Sequence, residues 1–176
     1  MFISSCRLID GGNQAITFAI KDPSFVKSMV LMDTSPNSDS AQRQAVRNKQ
    51  IETVNRQSDL VRILAQEFKP NCIYDRSLNE HVMKLCMIMA IDLGCKIFSN
   101  NCLPFRNRQS LTGTLSFIDC KTPVFCGEYH KLCPVTLHKE LDAKISDTEL
   151  SIILICRYLR ILEKTKPSIK ILAFLS

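Results

Sequence analysis

The run Ser28-Met29-Val30-Leu31-Met32-Asp33, closed by Thr34-Ser35-Pro36-Asn37, decides how the chain reads. An apolar stretch that ends in a cluster of turn formers predicts a buried strand. Working backward, Asp22-Pro23 breaks a helical pattern made by Ala15, Ile16, Phe18, Ala19 and Ile20. Before that pattern stand a turn signal at Gly11-Gly12 and a further short apolar run, Phe2 to Cys6. Strand, turn, helix and strand in such close succession predict a right-handed βαβ unit of a parallel sheet.

Working forward, the character changes at Ser38. Ala41 to Arg56 reads as a polar helix and Asp59 to Phe68 as a short one that ends before Pro70. Leu78, Val82, Leu85, Met89 and Leu93 form one apolar face of a third helix, and its Met-rich stretch reads as packing rather than a cofactor box. After Pro104 to Gly113 the strand and helix alternation resumes. Pro123 to Gly127 predicts a strand, Val135 to Ile145 a helix, Glu149 to Cys156 a strand and Pro167 to Leu175 a last helix. The layout is α/β: a mostly parallel sheet of about four strands, built from residues 1–37 and 114–176 and interrupted by a helical insertion over 38–113.

Composition narrows the function classes. With 176 residues and 45% hydrophobic content, the chain is long enough to bury a core without staples. Its nine cysteines are an odd number with no C-x-x-C pair, which argues against a disulfide framework and a zinc ribbon. They read as reduced thiols in a cytoplasmic protein, and no metal is expected. The net charge of +6 is spread over a face where Arg43, Arg47, Lys49, Arg56 and Arg62 alternate with Glu52 and Asp59, so no nucleic-acid stripe is expected. Neither a leader nor a membrane span is legible. Gly11-Gly12 lacks the G-x-G-x-x-G spacing of a dinucleotide site, and no cofactor is expected.

The order of these segments, with FVKSMVLMDTSP (25–36), TPVFCGEYHKLCPV (122–135) and TELSIILICRYLRILEK (148–164), resembles the alpha/beta hydrolases. The likeness is to small-substrate esterases and enol-lactone or carbon-carbon bond hydrolases, from the elbow strand onward, with residues 38–113 as the cap. It implies a nucleophile elbow, G-x-S-x-G-G, at Arg7-Leu8-Ile9-Asp10-Gly11-Gly12, and so puts Ile9 where the serine belongs. It puts His130 at the acid position, in Gly127-Glu128-Tyr129-His130 before Pro134, and Tyr158 at the position of the catalytic histidine. None of the three can take the family role. Isoleucine cannot attack a carbonyl, histidine cannot supply the acid's negative charge, and tyrosine is a poor general base at neutral pH. Asp33, at the end of its strand, is an alternative acid, because some members of the family carry the carboxylate there. His81 and His138 read as exposed or partly buried structural residues, and Cys6, Cys126 and Cys156 as packed thiols.

The family strands before the elbow, with the loop that gives the second oxyanion donor, have no counterpart ahead of Phe2. The resemblance therefore implies that half of the oxyanion hole is missing and that Phe2 to Cys6 is an open sheet edge. Such an edge is ready for self-association or for a partner's strand. Three readings compete. The first is a non-catalytic remnant of a hydrolase. The second is a pseudoenzyme that binds a small apolar ligand between cap and core, with Leu85, Met89 and Phe105 as lining candidates. The third is a weak or partner-completed ester or lactone hydrolase.

Overall fold

A computed structural model describes residues 10–57, 60–63 and 80–156 of the chain. They cluster in two compact units, one formed by the residues up to Asn37 together with those from Ser110 onward, the other by Ser38 to Gln109.

In the first unit, helix α1 (Asp10–Lys21) leads to strand β1 (Leu31–Met32). Strand β2 (Thr122–Gly127), helix α5 (Val135–Lys144) and strand β3 (Thr148–Ile153) follow the insertion. The described strands form one sheet in the order β1-β2-β3, all parallel. Val124 pairs with Leu31 on one side and with Leu150 on the other. All six residues of β2 are buried, as a strand covered on both faces requires. Ala15, Ile16 and Ala19 of α1 pack with Met29, Leu31, Val124, Leu115, Ile118 and Leu141 into the main core. Val30 and Phe125 form a smaller cluster with Met32 and Ile153.

Three boundaries differ from the sequence reading. The turn expected at Gly11-Gly12 is the first turn of α1 itself. The strand expected over Ser28 to Asp33 keeps only two ladder residues, preceded by an isolated bridge from Ser28 to Lys121. Its side chains still alternate between the two clusters, so the apolar pattern is satisfied where the ladder is not. The strand expected to reach Cys156 stops at Ile153, because the Ile155 amide donates to Glu128 Oε2 (3.2 Å). The strand expected at Phe2 to Cys6 and the final helix expected at Pro167 to Leu175 lie outside the described residues.

Ile155 has φ +54°, a left-handed conformation that costs a β-branched residue about 1–2 kcal/mol. Its side chain is about half exposed and contributes little burial. Ile155→Gly therefore raises stability by about 0.5–1 kcal/mol, after the greater chain entropy of glycine is subtracted. A rise of roughly 2 °C in Tm checks this, and a fall overturns it.

The chain leaves the first unit after Asn37 and rejoins it beside the same point. The Leu111 amide donates to the Pro36 carbonyl (2.8 Å), and the Thr112 hydroxyl to Asn37 Oδ1 (2.6 Å). The second unit contains α2 (Ala41–Gln57), a short α3 (Leu60–Ile63) and α4 (Glu80–Asn107). Helix α4 is broken at Gly94, whose φ of 79° is open to glycine at no steric cost. Val54, Leu60 and Ile63 are buried against Met87, Ala90, Cys95 and Phe98 of α4. This corrects the face expected for that helix. Val82 is buried as expected, but Leu85, Met89 and Leu93 are about half exposed. The α4 sequence is apolar on every side, so its periodicity does not single out the packed face.

Candidate functional site

In open α/β sheets, ligands and chemistry gather at the carboxyl ends of the strands. Here that edge presents Asp33 after β1, Glu128 to His130 after β2, and Leu154 to Cys156 after β3.

Asp33 is buried and has φ +48°, a region that aspartate tolerates better than most residues. Its amide donates to the Phe125 carbonyl (3.1 Å), and its Oδ1 accepts the Gly127 amide (3.1 Å). The carboxylate thus ties the end of β1 to the end of β2. The Gly127 carbonyl in turn accepts the His130 amide (3.1 Å), so the backbone of one residue, Gly127, bonds to both candidate acid positions.

His130 is buried in the loop that follows. Its Nδ1 accepts the Cys133 amide at 2.8 Å, which leaves the proton of the neutral ring on Nε2. A carboxylate at this place would accept a hydrogen bond from a histidine N–H, whereas this ring offers a donor. His138, on α5, was expected to be exposed or partly buried, yet it is wholly buried. Burial is tolerable because its Nδ1 lies 3.2 Å from the Pro134 carbonyl oxygen one turn earlier, as a donor would. The two rings stand 6.4 Å apart between centroids, tilted by 50°.

The third strand end is laced to the second. The Glu128 amide donates to the Ile153 carbonyl (2.9 Å) and the Tyr129 amide to the Cys156 carbonyl (3.1 Å). The Cys156 thiol donates to the Ile153 carbonyl (3.3 Å) and, like Cys126, is buried. Ile9 and Tyr158, the other two triad positions of the resemblance, lie outside the described residues. So does Cys6. No disulfide joins two of the described cysteines, and burial pushes the Cys86 thiol up, away from the reactive thiolate.

In the second unit His81 is exposed on α4. Phe105 carries the Arg47 guanidinium 4.7 Å from its ring centroid and that of Arg108 at 6.0 Å. Sequence reasoning missed this cluster: Arg47 and Arg108 both pair with the buried carboxylate of Asp39, Arg108 at 3.2 Å. A cavity of about 160 Å³ lined by Val26, Lys27, Asp119 and Cys120 lies near the Ser28 to Lys121 bridge, which is where β1 and β2 begin. Among the described residues no three metal-ligating side chains converge, and no helix is long and apolar enough to cross a membrane.

No protein-family model and no curated protein matches the chain. Solved structures do. A thermophilic esterase from Thermogutta terrifontis superposes with a TM-score of 0.85 at 20% identity, over 96% of this chain and 62% of that one. The enol-lactonase from Burkholderia xenovorans LB400 gives 0.82 at 14% identity, over 94% and 62%. MenH from S. aureus gives 0.81 at 17% identity, over 94% and 64%. The chain has an alpha/beta-hydrolase-like fold in part, and it spans less than two thirds of the length of these neighbours.

Proposed function

We propose that this is a non-catalytic protein of alpha/beta-hydrolase fold, its Ser-acid-His positions held by Ile9, His130 and Tyr158. The observation that carries the reading is the hydrogen bond from the Cys133 amide to His130 Nδ1. It supports the reading because it holds a buried imidazole at the position that the resemblance gives to the acid, whose role is to hold the tautomer of the catalytic histidine and stabilise the imidazolium. Asp33 is the alternative acid, but its Oδ1 serves the Gly127 amide and joins two strands. An acid without a nucleophile and a base would in any case give no acyl transfer.

Turnover of a nitrophenyl ester by the purified chain tests the reading. The expected rate equals that of a heat-denatured control. A rate above it that falls to background with Asp33→Asn or His130→Ala, each variant folding as the parent does, would overturn the proposal and place the reaction at this strand edge.

A further inference from the structure

We propose that the exposed face of the first segment of α4 binds the same face of a second copy of this chain, antiparallel, about a two-fold axis through Ile88. Leu85 and Ile88 (48% exposed each) and Ile91 (50%) stand on the side of the helix opposite the buried Met83 and the packed Ala90, with Met89 (55%) on the flank next to the buried Val82. The helical rotation of 100° per residue puts Ile88 at the centre of that stripe. A continuous apolar stripe on a helix marks an interaction surface, whereas scattered exposed residues do not.

The charges select the occupant. Lys84 and Asp92, both exposed, stand four residues to either side of Ile88. A two-fold axis at Ile88 therefore sets Lys84 of one copy level with Asp92 of the other, and does so twice. Leu85 and Ile91 exchange places in the same way, three residues to either side. A self-complementary patch of this kind is what an isologous interface requires. The segment from Glu80 to the break at Gly94 is about 21 Å long. Such a contact is smaller than a standard interface, so the dimer is weak, with Kd on the order of tens of micromolar.

Analytical ultracentrifugation of the full chain between about 5 and 200 µM tests this range. The parent is expected to pass from monomer to dimer. Ile88→Lys, which sets two ammonium groups against each other at the axis, weakens association roughly a hundredfold and leaves a monomer throughout. Lys84→Glu and Asp92→Lys each weaken it roughly tenfold, and the two together restore it. All these sites are exposed, so circular dichroism should show unchanged helix content. A parent that is monomeric at the highest concentration overturns the proposal, whether the face is then bare or covered by a small apolar ligand. So does a dimer indifferent to Ile88→Lys, which would be joined elsewhere, as at Phe2 to Cys6. So does a combined charge variant weaker than either single one. None of these readouts depends on whether the chain hydrolyses esters.

Discussion

Asp39→Ala lowers the unfolding free energy by about 3–5 kcal/mol, the range for removing one partner of a buried ion pair. The Asp39 side chain is wholly enclosed, and it pairs with the Arg47 Nε and, at 3.2 Å, with the Arg108 guanidinium. The two arginine side chains are themselves largely buried, at 16% and 8% exposure. Alanine would leave two positive charges close together with little water to solvate them, and the Phe105 face offsets only part of that. Glu52 provides the contrast. It pairs with Arg56 at 2.9 Å, but both side chains are more than half exposed, so Glu52→Ala should change stability by less than about 0.5 kcal/mol. Urea unfolding of the two variants measures the difference. A cost below about 1 kcal/mol for Asp39→Ala would mean that the arginines reach water once the carboxylate is gone.

That cluster also shows where sequence reading stops. Arg108 is far along the chain from Asp39 and Arg47, which are themselves eight residues apart, and nothing in their spacing announces that the three meet; the sequence reading placed Arg47 on a solvated face. The first unit is more legible. Helix α1, strand β2 and helix α5 follow apolar periods bounded by Pro23, Gly127 and Pro134, so local chemistry and tertiary packing agree. Strand β1 is legible in its side chains and not in its ladder, because burial of Met29 and Leu31 is a sequence property whereas hydrogen bonding depends on the neighbouring strand. Helix α4 misleads for the opposite reason: Leu85, Met89 and Leu93 satisfy the helical period as well as the residues that pack. At the candidate site, the positions of Asp33 and His130 at strand ends were readable. Their hydrogen bonds were not, since the partners are backbone amides placed by the fold.

Gly12→Ala should cost about 3 kcal/mol, although alanine is ordinarily the better helix former by about 1 kcal/mol. Glycine stands in the first turn of α1, where an added Cβ would lie 2.2 Å from Thr34 Oγ1, 2.6 Å from its Cβ and 2.7 Å from its Cγ2. Rotation about χ1 moves the outer two atoms but leaves the Thr34 Cβ where it is. Relief must come from the backbone, and both sides are anchored. Thr34 is wholly buried beside the end of β1, and Ala15, Ile16 and Ala19 hold α1 in the main core. The clash therefore outweighs the propensity gain. Gly113→Ala is the control, because an added Cβ there meets nothing within 4 Å, and its effect should stay within about 0.5 kcal/mol. A double-mutant cycle with Thr34→Gly, which removes all three opposing atoms, should return most of the Gly12→Ala penalty as coupling energy. If the penalty persists unchanged beside Thr34→Gly, the close approach of α1 to the end of β1 is not what requires glycine at position 12.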